Sequence, residues 1–507
     1  MTKRLRFGTA GLRAPLGEGP ACMNVQTVAL AANALAQWLP KHSSVVIGRD
    51  ARHGSEEFAN VTARVLIEAG HVPLLFPEPV PTPVVAHEVG RRSEVGAGVM
   101  VTASHNPATD NGYKVYTAEG TQLLPADAAI IEAGMDALPW PTEVSSETPS
   151  GRVQFLGKIE VDEYIKTIAG PGLNLIPNRY QTGVEPSGLT IVYTAMHGVG
   201  ADVFIRVLGH AGHRVISVPE QHAPDPDFPT AAFPNPEEPG TLDLAIALAE
   251  VEDADLILAN DPDADRLAVA VKRQSGWERL TGDEIGVLLG GYLINSGAAG
   301  SVATTIVSSS LLAKIAMAAG RTCHTTLTGF KYLSRAADAD AGSLLFAYEE
   351  ALGYAVNPQI RDKDGISAGL VFAELVASLD ADQTIDDLLS VIYERHGVHL
   401  TSQRSVRFDG DDAMAKMADL MAGLRNDPPT AIGSASVVSI TDLVSGTDAH
   451  DPADVLIYEL VGGRVIVRPS GTEPKIKAYL EAVDAEAQKA KARLAELEEA
   501  VAELLTR

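Results

Sequence analysis

Apolar and polar positions along the chain repeat one arrangement three times. Ser44–Asp50 (SVVIGRD), Thr190–Gly200 (TIVYTAMHGVG) and Ser301–Ser310 (SVATTIVSSS) are short β-branched runs that break into small or polar residues. Each leads through a helix-like segment to a second apolar run, VLIEAGHVPLLF, VLGHAGHRVISV and IAMAAGRTCHTT. Each helical segment ends in an Ala-Gly pair, Ala69-Gly70, Ala211-Gly212 and Ala319-Gly320, and glycine suits a helix C-terminus. Each unit reads as βαβ, which predicts three α/β domains of similar build. The last hundred residues break the pattern. There GGRVIVRPSGTEPKIKAYLEAV reads strand, loop, strand, and Leu494, Leu497, Val501 and Leu504 form one apolar helical stripe. This predicts a fourth, α+β domain whose last helix packs on its own sheet. Gly- and Pro-rich 169–188 and 295–300 are candidate boundaries. Seven prolines between Pro219 and Pro239 predict an irregular loop without helix or strand.

Composition narrows the class. A chain of 507 residues is too long for one core. Two distant cysteines, Cys22 and Cys323, argue against a disulfide framework or a cysteine metal site and suit a reducing, cytoplasmic setting. No signal-like h-region and no apolar run of about 18 residues is present. A formal net charge of −26 disfavours nucleic acid and anionic membranes as partners, and leaves an anionic small molecule as the expected one only where basic residues cluster.

Four stretches carry candidate chemistry. In Val99–Tyr116 (VMVTASHNPATDNGYKVY) a buried strand runs into a polar knot holding Ser104 and His105. Neighbours on extended chain face opposite ways, so the pair is not expected to form a nucleophile-base couple. The turn formers around Asn106-Pro107 and Asp110-Asn111-Gly112 hold Ser104 at a strand end, where α/β sheets bind ligands. A plain polar turn is the alternative. In Asp255–Val271 (DLILANDPDADRLAVAV) two apolar strands flank Asp261, Asp263 and Asp265. Three carboxylates at this spacing repel unless a cation sits among them, and oxygen ligands favour Mg²⁺ or Ca²⁺. Arg266 and Lys272 stand where an EF-hand needs Gly and Glu, so that loop type fails; a solvated acidic turn is the alternative. In Val465–Tyr479 (VIVRPSGTEPKIKAY), Arg468, Ser470, Gly471, Thr472, Lys475 and Lys477 offer a phosphate cradle on a β-turn, without a Walker A pattern. In FAYEEALGYAV, Glu349 and Glu350 end an apolar strand and suit sugar hydroxyls or a helix cap. His197-Gly198-Val199-Gly200 resembles the start of a dinucleotide turn, but Val203 stands where the third glycine belongs.

Taken together, TASHNPATDNGYKVY, DPDADR, EEALGY and RPSGTEPKIKAY, with FGTAGLRAPLGEGP, GRDAR, YTAMHGVG, TGFKYL and RDKDGI, resemble in order the motifs of the α-D-phosphohexomutases over nearly the whole chain. FGTAGLR with EEALGY looks most like the branch holding phosphoglucomutases and phosphopentomutases. The resemblance implies three related α/β domains with mixed sheets and a smaller α+β C-terminal domain around a central cleft. It divides the chain as 1–186 with the phosphoserine loop, 187–299 with the metal loop, 300–397 with the sugar loop and 398–507 with the phosphate loop.

The resemblance also implies roles. Ser104 would carry a phosphoryl group, with Asp261, Asp263, Asp265 and Ser104 itself around Mg²⁺. Arg13, Lys114 and Arg266 would serve the reaction, Lys114 in proton transfer. Arg49, His105, Thr328, Gly329, Lys331, Glu349, Glu350, Arg468, Ser470, Gly471, Thr472 and Lys477 would bind substrate. A sugar 1,6-bisphosphate would be the bound intermediate and activator, in a monomer or homodimer interconverting hexose 1- and 6-phosphates of glucose or mannose. A phosphopentomutase, a sugar 1,6-bisphosphate synthase, a metal-dependent phosphatase and a silent phosphosugar sensor are the alternatives. Ala351 replaces a serine of many hexomutase sugar loops, and Tyr354 stands where some members have His. Both bear on sugar choice, and the second weakens any acid-base role for Tyr354.

Overall fold

The computed structural model describes residues 4–8, 11–147, 151–169, 188–340, 342–410, 412–470 and 474–506. The chain forms two compact units, Met1–Ala303 with Gly329–Asp380, and Thr304–Thr328 with Ala381–Arg507.

The first unit begins with β1 (Leu12–Pro15), β2 (Ser44–Arg49), β3 (Val72–Leu75), β4 (Val95–Val101), β5 (Asp110–Thr117) and β6 (Gln154–Phe155). They form a sheet of order β1-β5-β4-β2-β3-β6. β2 is parallel to β3 and β4, and β5 is antiparallel to β4 and β1, so the sheet is mixed. The apolar run of β2 is buried on both faces, as a central parallel strand requires. Helix Ser55–Glu68 joins β2 to β3 and ends at Ala69, with Gly70 at φ 87°. Helix Val25–Trp38 lays Val28, Leu30 and Leu35 into the same core as Ile47, Val99 and Val101.

A second mixed sheet, β11-β10-β9-β7-β8, follows from β7 (Thr190–Thr194), β8 (Arg214–Ser217), β9 (Leu256–Ala259), β10 (Ala268–Arg273) and β11 (Gly276–Arg279). Its helix Ala201–His210 repeats the Ala-Gly ending, with Gly212 at φ 80°. β9 and β10 form an antiparallel pair with Ala259 opposite Ala268, which closes the three-aspartate loop tightly. The proline-rich stretch departs from expectation at its start. Pro219–His222 makes one helical turn, because a proline at the first helical position lacks only an N–H that has no partner there. The third repeat contributes β12 (Ser301–Thr305), β13 (Cys323–Thr326), β14 (Leu344–Glu349) and β15 (Gly353–Ala355), with β14 and β15 antiparallel and Glu349 opposite Gly353.

The second unit is built on β16 (Val398–Arg407), β17 (Ala431–Ile432), β18 (Ala435–Asp442), β19 (Leu456–Leu460), β20 (Gly463–Pro469) and β21 (Lys475–Asp484). They form a sheet of order β16-β21-β20-β19-β18-β17, antiparallel throughout. Helix Ala487–Leu504 buries Leu497, Val501 and Leu504 against Tyr458, Val465 and Leu480, as its stripe predicts. Segment Thr304–Thr328, with helix Leu311–Ala318 and Gly320 at φ 67°, belongs to this unit. Buried Glu481 fixes it there. The Glu481 carboxylate accepts from the Ser309 hydroxyl and the Ser310 N–H at 2.8 Å each, lies 2.8 Å from His399 Nδ1, and accepts from Arg464 Nε at 2.7 Å. Both cysteines are free, and no helix among the described residues is long and apolar enough to cross a membrane.

Candidate active site

β4 and β9 each end in a loop that delivers one half of the site. After β4 the chain turns sharply, with Ser104 in the left-handed region at φ 55°. This conformation costs a non-glycine residue about 1–3 kcal/mol and is found where surrounding structure enforces it. Here the Ser104 N–H donates to Thr102 Oγ1 at 2.8 Å, and the side chain is buried. The turn also overturns one expectation. Because Ser104 is left-handed rather than extended, its side chain and that of His105 converge, with Oγ 3.2 Å from Nδ1. Ser104 donates its single hydroxyl proton to Asp261 Oδ2 at 2.8 Å, so the contact with His105 requires the ring to carry hydrogen on Nδ1.

After β9, Asp261, Asp263 and Asp265 are fully buried, and each offers a carboxylate oxygen within 4.8 Å of the others'. Asp261 Oδ1 accepts from the Arg266 N–H at 3.0 Å. Asp263 Oδ2 accepts from Thr82 Oγ1 and from Lys114 Nζ at 2.6 Å each, and Asp265 Oδ2 accepts from Lys114 Nζ at 2.8 Å. Lys363 pairs with the same Asp265 oxygen at 3.1 Å. The remaining oxygens of Asp263 and Asp265 are buried without a hydrogen-bond partner among the described residues. Burial and its two acidic neighbours push Asp261 well above the usual carboxylate range. Unpartnered buried oxygens and a trio too negative to ionise fully are what a divalent cation would relieve, so the donor set fits a hard metal ion.

Electrostatics divide the surrounding groups. Burial alone would push the Lys114 ammonium down, but Asp263 and Asp265 outweigh it and hold Lys114 above its ordinary value. Lys114 is therefore a charged donor. Burial, then Arg266 and Arg13, holds His105 well below its ordinary value and keeps it neutral. Burial also opposes the Asp265 carboxylate, yet Lys114, Lys363 and Arg266 hold it ionised. Burial raises Glu349, whose field includes Lys363, Arg266 and Asp265; burial with Glu349 and Asp283 pushes Glu350 up to about 7. The site thus gathers Ser104, His105, Lys114, Arg13, Arg266, Glu349 and the three aspartates.

The other expected site residues have these surroundings, each within its own unit. Arg49 spends its guanidinium on the Pro77 carbonyl at 2.7 Å and on Glu56 at 3.2 Å, and makes no bond to Ser104 or the aspartates. Gly329, at φ 120°, precedes the short helix Phe330–Leu333, and Lys331 lines a crevice with Phe7, Gly11, Val115, Gln122 and Leu123. Thr328 Oγ1, in the second unit, is buried without a partner among the described residues. Tyr354 is buried and its hydroxyl donates to the Gly282 carbonyl at 3.2 Å. In the second unit Arg468 on β20 lies opposite Lys477 on β21, and the Ser470 N–H donates to the Lys475 carbonyl at 2.7 Å. Gly471 and Thr472 lie outside the described residues.

Several neighbours escape a reading of the sequence. Lys363 lies in RDKDGI and Arg52 in GRDAR, motifs that carry the resemblance, but neither residue has a task assigned from the sequence. Thr82 begins helix Thr82–Arg91, and its N–H also donates to the Asp263 carbonyl at 2.9 Å. The His197-Gly198-Val199-Gly200 turn supports the aspartate loop. The Val199 N–H donates to the Pro262 carbonyl at 2.9 Å, and a Cβ on Gly198 would lie 2.3 Å from Pro262 Cα.

Four family models match along the chain: phosphoglucomutase/phosphomannomutase alpha/beta/alpha domains I (4–140), II (162–276) and III (281–396), and the C-terminal domain (407–504). The probable phosphomannomutase of Haemophilus influenzae is 40% identical over 95% of this chain and 98% of its own. The human phosphopentomutase is 36% identical over 94% of this chain and 85% of its own. The crystal structure of the Paramecium phosphoprotein pp63/parafusin, a phosphoglucomutase, in its open form shares the fold, with TM-score 0.76, 19% identity and coverage of 100% of this chain and 96% of that one. The chain belongs to the phosphoglucomutase/phosphomannomutase family of the phosphohexomutase superfamily, and is therefore an enzyme of the phosphosugar mutase class, an isomerase that transfers a phosphoryl group.

Proposed function

We propose that this enzyme interconverts hexose 1-phosphate and hexose 6-phosphate, with glucose the preferred sugar and mannose the second, through a phosphoserine at Ser104 and a bound sugar 1,6-bisphosphate. The observation that carries the reading is the Ser104 hydroxyl, 2.8 Å from one carboxylate of a buried trio that fits a cation. In the first half-reaction the phosphoserine P–Oγ bond breaks as a bond forms from phosphorus to the free hydroxyl of the sugar monophosphate. In the second, the other phosphate of the bisphosphate returns to Ser104. Such transfer depends on in-line placement and charge neutralisation. Asp261, Asp263 and Asp265 would hold Mg²⁺, which when bound offsets charge on the phosphoryl oxygens. Arg13, Arg266 and the Lys114 ammonium add positive charge beside it. Lys114, whose ammonium donates to Asp263 and Asp265, is the proton-transfer group of this reading, and His105 beside Ser104 contacts substrate.

The same reading gives Glu349 and Glu350 the sugar hydroxyls. It gives Arg468, Ser470, Gly471, Thr472 and Lys477 a phosphate. Arg49, Thr328, Gly329 and Lys331 take further substrate contacts, and the bisphosphate acts as activator. We retain the domain division 1–186, 187–299, 300–397 and 398–507, and a cytoplasmic location, as part of this proposal. A pentose phosphate mutase is the second reading, favoured by Ala351 and by the human phosphopentomutase relative. A coupled assay with glucose, mannose and ribose 1-phosphates tests the choice. Fastest turnover of glucose 1-phosphate supports the first reading, and fastest turnover of ribose 1-phosphate supports the second. No turnover of any, with bisphosphate and Mg²⁺ present, contradicts both.

A further inference from the structure

The left-handed turn at Ser104 leaves carbonyl groups pointing inward, and buried carbonyls need donors. One side chain supplies them. Arg52 Nη2 donates to the carbonyls of Ser104 at 2.5 Å and Asn106 at 2.6 Å, and Nη1 donates to those of Pro107 at 2.8 Å and Asp110 at 3.3 Å. The guanidinium is itself immobilised. Its Nε pairs with Asp50 Oδ2 at 3.2 Å, the Arg52 N–H donates to Asp50 Oδ1 at 3.0 Å, and the Phe228 ring lies 4.8 Å beneath it. Arg52 is 4% exposed and Asp50 1%. The sheet explains the placement. β2 runs parallel beside β4 with Arg49 opposite Val101, so the turn after β2 arrives next to the turn after β4.

We propose that Arg52 is the positioning residue for the phosphoryl-carrying serine: its planar fork ties the carbonyls of Ser104, Asn106, Pro107 and Asp110 into one arc, and so holds the Ser104 hydroxyl on Asp261. The proposal rests on Ser104 being the phosphoryl carrier. A guanidinium presents five donors in one plane, whereas an ammonium has one nitrogen that cannot span four carbonyls. Because both Nη atoms are engaged by backbone and the residue is buried, Arg52 has no donor for substrate. Its loss should change the geometry of the transfer step and leave substrate binding as it is.

The test is Arg52→Lys in the full enzyme, with phosphorylation of Ser104 by glucose 1,6-bisphosphate followed in a single turnover by intact mass. The expected result is transfer slower by about ten- to a hundredfold, the scale of a misplacement near 1 Å, with KM for glucose 1-phosphate within about twofold of wild type. Circular dichroism gives the folded fraction, and rates are expressed per folded molecule. If Arg52→Lys does not fold, Phe228→Leu, which removes the ring beneath the guanidinium, should slow the same step by roughly two- to fivefold with KM unchanged. A wild-type transfer rate per folded molecule in whichever variant folds, or an effect confined to KM, overturns the proposal. A wild-type enzyme that takes no phosphate on Ser104 overturns the underlying mechanism instead, so the two failures are distinct.

Discussion

Gly198→Ala should loosen the metal loop from behind. A Cβ at this position would stand 2.3 Å from Pro262 Cα, 2.4 Å from its carbonyl oxygen and 2.7 Å from its carbonyl carbon, all backbone atoms that no rotamer change can move away. Relaxing even to a tight contact near 3.4 Å requires a shift of about 1 Å, since carbon pairs settle at roughly 3.5–4.0 Å. Overpacking of this kind costs about 1–3 kcal/mol, and the Val199–Pro262 hydrogen bond on the same turn adds about 1 kcal/mol if it stretches. Pro262 lies between Asp261 and Asp263, so the displacement reaches two of the three carboxylates. Changes behind a metal site usually cost about 10–100-fold in metal affinity or activity. The assay is initial rate against Mg²⁺ concentration for wild type and variant at saturating glucose 1-phosphate and bisphosphate, with a thermal melt as control for folding. Half-saturation should move up by about ten- to a hundredfold. A folded variant whose Mg²⁺ curve superimposes on that of wild type refutes the assignment of the His197–Gly200 turn as support for the aspartate loop.

Two further predictions concern the second unit. Arg468→Ala should lower kcat/KM by about ten- to a hundredfold, the equivalent of a charge-assisted phosphate contact of roughly 1.5–3 kcal/mol, and should increase dependence on added sugar 1,6-bisphosphate; unchanged kinetics with and without it would reduce the loop to a plain β-turn. Glu481 is held at about 2 from an ordinary 4.5, because the bonds from His399, Arg464 and Ser309 outweigh its burial. A depressed acid contributes stability above its unfolded pKa, lost as pH falls through the folded one, so this contribution, about 3 kcal/mol, should disappear between about pH 4.5 and 2. Glu481→Gln should cost a similar amount at pH 7 and flatten that pH dependence, as urea unfolding would measure; parallel stability-pH curves for variant and wild type would contradict it.

What a sequence shows and hides here follows from distance along the chain. The Ala-Gly helix ends, the β9–β10 turn around the aspartates and the stripe of the last helix are local patterns, and local geometry produced them. The contacts that assemble the site are not local. Thr82 meets Asp263 across 181 residues, and Lys114 meets Asp265 across 151. Nothing in the spacing of either segment announces the pair. Arg52 and Lys363 sit in motifs that mark the family, but an arginine after a strand reads equally as a surface charge, and only the parallel pairing of β2 with β4 turns Arg52 inward. The convergence of Ser104 and His105 was hidden for another reason. It depends on one positive φ at a residue whose type ordinarily avoids it, and composition does not report a torsion angle. The Pro219–His222 turn shows the converse, since a proline cluster reads as irregular chain while its first member can open a helix.

The central claim is that Ser104 carries the phosphoryl group, and intact mass of Ser104→Ala beside wild type tests it most directly. After incubation with glucose 1,6-bisphosphate and Mg²⁺, wild type should gain the mass of one phosphate and lose it again to glucose 1-phosphate. Ser104→Ala should gain none, remain folded by circular dichroism and lose nearly all mutase turnover. A phosphate on the variant, or turnover near that of wild type without one, would contradict the account.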